Sequence, residues 1–203
     1  MTAKKWDRSS IHIRPAEIGD ICVLLEPSDS AEIQQLRQRQ AALKKDFGGS
    51  PIDRIHLTCQ RFAGQDERQI TEFTDQLRKA GQDRVPFQLT ALSLYTLYVP
   101  VRESNILKWN IAVTKDLTRF VAQIEKNVRQ SGIQPLYRTG FVSTLVAALK
   151  DIPEDLDPRF SSSYDEFPFS LFTASQMSLS RIDGPDQFEI LATVPLRGGG
   201  STK

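Results

Sequence analysis

Hydrophobic and polar positions follow two different periods along the chain. Short apolar runs bounded by Pro, Gly or Asp predict strands, and apolar residues three or four positions apart predict amphipathic helices. Strands and helices alternate in this pattern, which favours an α/β or α+β fold with helices packed on one face of the sheets. The predicted strands span residues 20–27, 54–62, 87–99, 106–114, 141–149, 171–182 and 188–196, and the predicted helices span 29–47, about 66–80 and 117–128.

The first predicted helix carries a cap signal at its N-terminus. Asp29 lies three residues before Glu32, which is the spacing of a capping box, and Gly48 follows the last apolar position of the helix. The spacing of the apolar residues between these points predicts one buried helical face. That face consists of Ile33, Leu36, Leu43 and Phe47.

The composition excludes several classes of protein. With 203 residues, of which 39% are hydrophobic and 25% charged, the chain is too apolar for intrinsic disorder and too charged for an integral membrane protein. Its 26 Lys and Arg residues balance 25 Asp and Glu residues, so it does not bind nucleic acid through bulk positive charge. No apolar run approaches the roughly 20 residues of a membrane span, and the N-terminus lacks the apolar core of a secretory signal. We expect a cytoplasmic protein with no membrane partner.

The two cysteines carry no signature of a metal or redox site. Cys22 and Cys59 lie in separate apolar segments, and the sequence has no CxxC motif and no spaced set of Cys and His. Free Cys commonly behaves as a small buried apolar residue. We therefore predict two reduced, buried thiols, with no metal site and no cofactor.

One predicted strand, RIHLTCQRF, carries residues capable of chemistry. Because side chains alternate across a strand, one face is apolar and the other polar. His56 and Thr58 share the polar face, about 7 Å apart along the strand. A histidine exchanges protons near neutral pH, and a threonine hydroxyl can hydrogen-bond an anionic oxygen. The apolar positions are Ile55, Leu57 and Cys59, and the polar positions are Arg54, His56, Thr58 and Gln60.

Through this motif the chain resembles the 2H phosphoesterase superfamily, which includes the bacterial 2′-5′ RNA ligase/cyclic phosphodiesterase group. Members carry two His-x-Thr/Ser motifs, one in each pseudo-symmetric half, on strands that face each other across a cleft. The resemblance extends over about residues 18–197. It rests on the strand DICVLLEP, the motif strand RIHLTCQRF, the strand ILKWNIAVT with Trp109, and the hairpin LFTASQMSLSRI…FEILATVPL.

The resemblance implies a domain organisation and an α+β fold. Two pseudo-symmetric α/β lobes with antiparallel sheets are expected around a central cleft. They form a single domain at 18–197, with lobes at roughly 18–100 and 101–197. An N-terminal extension at 1–17 precedes this domain, and a flexible tail at 198–203 follows it.

The second family motif is degenerate in this sequence. It is expected within YRTGFVSTLVAAL, at residues 137–149. One alignment puts Val142 at the position of the second histidine and Thr144 at that of the second threonine; a shift of one residue puts Phe141 and Ser143 there instead. Neither alignment supplies a histidine, and the only other histidine of the chain is His12.

The resemblance also implies roles for individual residues. In the family, one histidine is a general base toward water, the other is a general acid toward the departing ribose oxygen, and hydroxyl groups hold the phosphate. Transferred to this sequence, His56 and Thr58 are the catalytic residues. Thr144 or Ser143 binds the phosphate, with Arg138 as a further anion ligand. The chemistry needs no metal.

Three functions remain open because one histidine is missing. The first is a phosphodiesterase that acts on RNA ends or on 2′,3′-cyclic or 2′-5′-linked nucleotides, in which Tyr137 or, less favourably, His12 replaces the lost acid. The second is a nucleotide- or RNA-binding module without turnover, and the third is a protein-interaction scaffold on the same fold. The expected partner is therefore an RNA end or a small nucleotide in the cleft, and the sequence leaves the oligomeric state open.

Overall fold

The computed structural model describes residue 14 and residues 16–99, 103–153, 167–184 and 187–198. These ranges contain nine strands and three helices. The helices are α1 (Ser30–Phe47), α2 (Glu67–Gln82) and α3 (Lys115–Gln130). The strands are β1 (Ile21–Glu26), β2 (Ser50–Pro51), β3 (Leu57–Phe62), β4 (Phe87–Val99), β5 (Ser104–Ile111), β6 (Leu145–Ile152), β7 (Phe169–Ala174), β8 (Gln176–Gly184) and β9 (Gln187–Pro195).

The strands form two antiparallel sheets, so the predicted α+β class is confirmed. A four-stranded sheet has the order β3-β1-β8-β9, and a five-stranded sheet has the order β2-β6-β5-β4-β7. Each sheet takes strands from both halves of the chain, because β8 and β9 join β1 and β3 while β2 and β4 join β5 and β6. The division into lobes at 18–100 and 101–197 stays a prediction, and it does not coincide with the division of strands between the sheets.

One predicted strand, at 171–182, is two strands in the structure. The chain leaves the five-stranded sheet after β7, passes Ser175 and enters the four-stranded sheet as β8. Ser175 ties this crossing to both neighbours: its hydroxyl lies 2.6 Å from the Ser28 hydroxyl, and its carbonyl accepts a 2.8 Å hydrogen bond from the Leu196 amide. The prediction was wrong here because side-chain alternation continues through the crossing and gives no sign that the partner strand changes.

The cap of α1 forms as predicted, but Glu32 has a different partner. The Asp29 carboxylate accepts hydrogen bonds from the amides of Ala31 at 2.8 Å and Glu32 at 3.0 Å. The Glu32 carboxylate accepts from both the amide and the hydroxyl of Thr173 on β7, at 3.0 and 2.8 Å. Glu32 therefore joins the start of α1 to the five-stranded sheet, whereas a capping box returns this side chain to the helix terminus.

The buried face of α1 differs from the predicted one at two positions. Leu36, Leu43 and Phe47 are buried as expected, whereas Ile33 is 36% exposed. Gln40, which the apolar pattern leaves out, is buried on this face. A buried amide requires hydrogen-bond partners, so the helix must meet polar groups at this point.

The side chain of Gln40 connects α1 to main-chain oxygens at the five-stranded sheet. Its amide donates to the carbonyls of Ile52 and Ala148, at 2.9 and 2.8 Å. Each carbonyl also accepts from one other donor, the Arg37 guanidinium for Ile52 and the Ile52 amide for Ala148. Because a carbonyl oxygen has two lone pairs, the glutamine fills the second acceptor position of both.

A continuous hydrophobic core joins the three helices to the inward faces of both sheets. Trp109 is 1% exposed within it, so this aromatic residue packs in the core. Both cysteines are reduced and buried, as predicted. Burial raises the pKa of both thiols, that of Cys22 to about 12. Neither thiol is therefore a thiolate near neutral pH.

Substituting Gln40 tests this helix–sheet connection. We expect Gln40→Ala to lower the free energy of unfolding by about 1–3 kcal/mol, because it removes two buried hydrogen bonds. Gln34→Ala, at an exposed position of the same helix, is the matched control and should change stability by less than about 0.5 kcal/mol. Urea denaturation followed by circular dichroism measures both. Equal effects of the two variants would show that the buried hydrogen bonds contribute little.

Candidate active site

The site lies on the face of the four-stranded sheet that is opposite to the hydrophobic core. On the central strand β1, Leu24 is paired with Thr58 of β3 on one side and with Ser178 of β8 on the other. These three side chains lie side by side, and Glu26 follows two residues later on the same face. We call this surface the site face. The alternation predicted for the motif strand is confirmed at Ile55, Leu57 and Cys59, which are buried in the core. It is wrong at Gln60, which is 1% exposed and is paired with the core residue Val23, because the pairing of β1 with β3 shifts register between Val23 and Leu24.

His56 lies directly before β3 and is half-buried. Its Nδ1 atom is 2.9 Å from the main-chain oxygen of Arg54. Its ring makes an edge-to-face contact with Phe188 of β9, with ring centroids 5.0 Å apart and planes at 76°. Burial is the main cause that lowers the pKa of His56, and the charges of Arg54 and Lys108 lower it further. The hydrogen bond to the Arg54 carbonyl and the charge of Glu26 oppose this shift.

These contacts define the chemical state of the ring. With its pKa below the usual value of 6.5, His56 is neutral at neutral pH. A carbonyl oxygen can only accept a hydrogen bond, so Nδ1 carries the proton and donates it to Arg54. The lone pair is therefore on Nε2, which is the arrangement a general base requires.

A buried carboxylate lies at the edge of the site face. Glu26 is 5% exposed. Its Oε2 atom accepts a 2.7 Å hydrogen bond from Nη2 of Arg54, its Oε1 atom accepts from Nε of the same side chain, and the Ser178 hydroxyl donates to Oε2. This is the bidentate geometry in which arginine binds carboxylates most strongly. Much of the positive charge of Arg54 is therefore compensated within the protein.

The five-stranded sheet contributes a positive charge. Lys108 on β5 is paired with Tyr95 of β4 and Ala147 of β6. Its neighbour Trp109 points into the core, so Lys108 points to the opposite face of the sheet. The charge of Lys108 lowers the pKa of His56, which means that a residue of the second sheet acts electrostatically on the site face of the first.

The degenerate second motif precedes β6. The strand begins at Leu145, so the predicted start at residue 141 was wrong by four residues. Phe141, Val142, Ser143 and Thr144 are half-buried. Val142 packs against the hydrophobic core, and the ring of Phe141 lies 5.3 Å from that of Tyr137, edge to face.

The main chain of this segment is attached to β5. The carbonyl of Thr144 accepts a 2.8 Å hydrogen bond from the Ile111 amide. This bond fixes the backbone of Thr144 and says nothing about its hydroxyl. The assignment of Thr144 or Ser143 as a phosphate-binding hydroxyl therefore stays a prediction.

The other predicted site residues differ in exposure. Tyr137 is 8% exposed; its amide donates to the Gln60 side chain at 3.3 Å, and its ring centroid is 5.8 Å from the Arg61 guanidinium. Arg138 is exposed, and its carbonyl accepts a 3.1 Å hydrogen bond from the Phe141 amide. His12 lies outside the described residues. The roles predicted for these residues stay predictions.

Within the described ranges, no group of three or more His, Cys, Asp or Glu residues is arranged to hold a metal ion. No helix in these parts is long and apolar enough to cross a membrane.

Sequence comparisons give no relative for this chain. No family model matches it, and no curated protein matches it significantly. Comparison with solved structures gives 35 matching chains.

Three of these structures illustrate the likeness. The crystal structure of E. coli LigT in complex with 3′-AMP matches with a TM-score of 0.61 at 14% identity, covering 89% of this chain and 99% of that chain. A protein of Thermus thermophilus matches with a TM-score of 0.61 at 15% identity, covering 88% and 98% of the two chains. A structure described as a phosphoesterase gives 0.60 at 13% identity, covering 89% and 99%.

This chain has the fold of LigT. At these sequence identities the likeness shows the fold alone, and it supports the 2H phosphoesterase fold that the motif strand predicts. E. coli LigT has also been crystallised with NADP+, ATP and phosphate.

Three residues around His56 in this LigT fold were missed by the sequence analysis. Glu26 ends an apolar strand before a proline, where a polar residue is usual at a strand end. Lys108 occupies a polar position in an alternating strand, and Phe188 occupies an apolar one. Periodicity carries no information on which other strand faces a given side chain.

The electrostatic effect of Lys108 can be measured directly. We expect Lys108→Met to raise the pKa of His56, because it removes a positive charge that disfavours the imidazolium. NMR titration of the histidine side-chain resonances measures this shift, and the chain has only two histidines to distinguish. Lys79→Met, at an exposed position of α2, is the charge-matched control. A His56 pKa that is the same in both variants would contradict the placement of Lys108.

The lowered pKa of His56 predicts a pH dependence of stability. The unfolded chain takes up a proton on this residue near pH 6.5, whereas the folded protein does so only at lower pH. Stability is therefore complete above about pH 6.5 and falls with decreasing pH, by at most about 1.4 kcal/mol per pH unit from this residue. We expect His56→Gln to remove this part of the slope between about pH 7 and pH 5.5 in urea denaturation. A slope that is unchanged in the variant would contradict the assignment.

Proposed function

We propose that the chain is a phosphodiesterase-like protein that acts on RNA ends or on 2′,3′-cyclic or 2′-5′-linked nucleotides. The observation that carries the proposal is His56, a neutral histidine with its Nε2 lone pair available for proton transfer, beside Thr58 on one sheet face of a LigT fold. LigT itself has been crystallised with 3′-AMP and with phosphate. Such substrates agree with the cytoplasmic location expected from the sequence.

In the proposed reaction, Nε2 of His56 removes a proton from a water molecule that attacks phosphorus. A bond forms between the water oxygen and phosphorus, and the bond between phosphorus and the ribose oxygen breaks. The Thr58 hydroxyl donates a hydrogen bond to a phosphate oxygen, with Thr144 or Ser143 and Arg138 as the predicted ligands on the other side. The leaving ribose oxygen takes up a proton.

The rate of the proposed reaction depends on which group donates the proton to the leaving ribose oxygen. Without a second histidine, the loss of one acid–base group costs about 10²–10⁴-fold, or roughly 3–5 kcal/mol in the barrier. Tyr137 and His12 are the substitutes predicted from the sequence. Lys108 acts on His56 from the other sheet through its charge, and it would stabilise charge that develops on the phosphate without supplying the missing proton. We therefore expect slow turnover.

The proposal is tested with purified protein and two groups of substrates, nucleoside 2′,3′-cyclic phosphates and 2′-5′-linked dinucleotides. We expect slow hydrolysis that falls by about 100-fold or more in His56→Ala, because the general base is lost. Arg68→Ala, on the exposed face of α2, serves as the control and should keep full activity. Product formation is followed by chromatography. Turnover that survives His56→Ala would exclude His56 as the acid–base residue.

A second candidate function is a binding module for nucleotides or RNA ends that has no turnover. The observation that favours it is the apolar packing at both candidate positions of the second histidine, since Val142 contacts the core and Phe141 contacts Tyr137. Calorimetric titration with 3′-AMP and with a short RNA distinguishes the candidates. Binding without hydrolysis, weakened about tenfold by Thr58→Val through loss of one hydrogen bond to a charged group, would favour the module. Absence of binding to nucleotide, RNA and phosphate would favour the interaction scaffold.

A further inference from the structure

We propose that Glu26 is a positioning residue, which fixes the orientation and tautomer of His56 by holding Arg54 in place. The purpose of this arrangement rests on the proposed acid–base role of His56. The tautomer and the pKa of the His56 ring can be measured without any substrate.

The carboxylate of Glu26 is fully engaged. It lies at the end of the central strand β1 and is 5% exposed. Both of its oxygens accept from the guanidinium of Arg54, and the Ser178 hydroxyl donates a third hydrogen bond. Ser178 is itself completely buried on β8. Ser178 of the neighbouring strand β8 and Arg54 of the segment before β3 therefore hold the carboxylate, and the carboxylate in turn holds the arginine side chain.

The main chain transmits this constraint to His56. Arg54 and His56 are separated by Ile55, whose side chain is buried in the hydrophobic core. With the Arg54 side chain bound to Glu26 and Ile55 packed, the peptide groups between them have little freedom to rotate. The Arg54 carbonyl is thereby directed at Nδ1 of His56, at 2.9 Å. Phe188 packs against the ring from β9 and restricts its rotation further.

The charges around His56 give Glu26 a second effect. The charged groups that act on the ring are Glu26 from β1, Arg54 from the segment before β3, and Lys108 from β5. Two of these are cations, and they would make His56 a weak base if nothing opposed them. Glu26 is the negative charge in this set, and it preserves part of the basicity of Nε2.

Stability alone does not account for this ion pair. Taking the Glu26 carboxylate out of water costs free energy, and the Arg54 side chain that compensates its charge remains 32% exposed. The hydrogen bonds of the pair are directed to the residue whose carbonyl orients His56. The position of the Glu26–Arg54 pair is therefore better explained by control of the His56 ring than by a contribution to stability.

NMR of the imidazole nitrogens and carbons tests the proposal. In the unaltered protein, we expect neutral His56 to be predominantly in the Nδ1–H tautomer. In Glu26→Gln, the Nδ1–H tautomer should lose this dominance and the pKa of His56 should fall, because the opposing negative charge is gone. Glu72→Gln removes the carboxylate of an exposed ion pair with Arg68 on α2 and should change neither property.

A double variant keeps the test decisive if Glu26→Gln does not fold. Glu26→Leu combined with Arg54→Leu replaces both members of the ion pair by apolar side chains, so that neither charge is left without its partner. We expect this variant also to lose the Nδ1–H preference, with a smaller change in the pKa of His56 than in Glu26→Gln, because charges of opposite effect are removed together.

Two results would overturn the proposal. One is a folded Glu26 variant in which the tautomer and the titration of His56 are unchanged, which would mean that the pair is only structural. The other is an unaltered protein in which His56 is mainly in the Nε2–H tautomer. Failure to find any substrate would contradict the proposed function and would leave the NMR result on Glu26 intact.

Discussion

The site depends on the position of β1 between β3 and β8. Because the strand pairs on both sides, Leu24 brings Thr58 and Ser178 into one row across the sheet. The same pairing carries Glu26, at the end of the strand, to the point where β3 begins and His56 precedes it. The opposite face of β1 is covered by hydrophobic packing, so Glu26 is directed to the site face. A shift of one residue in either pairing would turn Thr58 or Ser178 to the opposite face of the sheet and separate it from Glu26.

The chemistry on this face is asymmetric. One sheet supplies a histidine with a defined tautomer, a hydroxyl group and a buried carboxylate bound to an arginine. The other supplies a lysine whose charge reaches the histidine. A symmetric pair of acid–base groups could exchange roles during a reaction, whereas in the proposed reaction proton transfer and charge stabilisation belong to different residue types on different sheets. With these proposed roles, the arrangement suits recognition of a phosphate and slow proton transfer better than rapid turnover.

Sequence patterns predicted the elements of this fold more completely than their assembly. The cap at Asp29 and the alternation around His56 depend on residues close in sequence, and the structure confirms both. The crossing at Ser175 and the contact between His56 and Phe188 depend on which strands become neighbours, and hydrophobic periodicity does not contain that information. Glu26 belongs to the second group, because its partner Arg54 is 28 residues away in sequence.

The degenerate second motif also shows this limit of sequence patterns. Its surroundings restrict which residues could replace the second histidine. Val146 and Ala148 of β6 are buried in the core, so alternation assigns Leu145 and Ala147 to the face that also carries Lys108. Neither Leu145 nor Ala147 can transfer a proton. Whichever register relates the two motifs, these two positions of β6 offer no acid on that face, and any replacement for the second histidine must come from a neighbouring strand or loop. Lys108 is paired with Ala147, so a cation on β5 lies beside the position of β6 that carries no acid–base group.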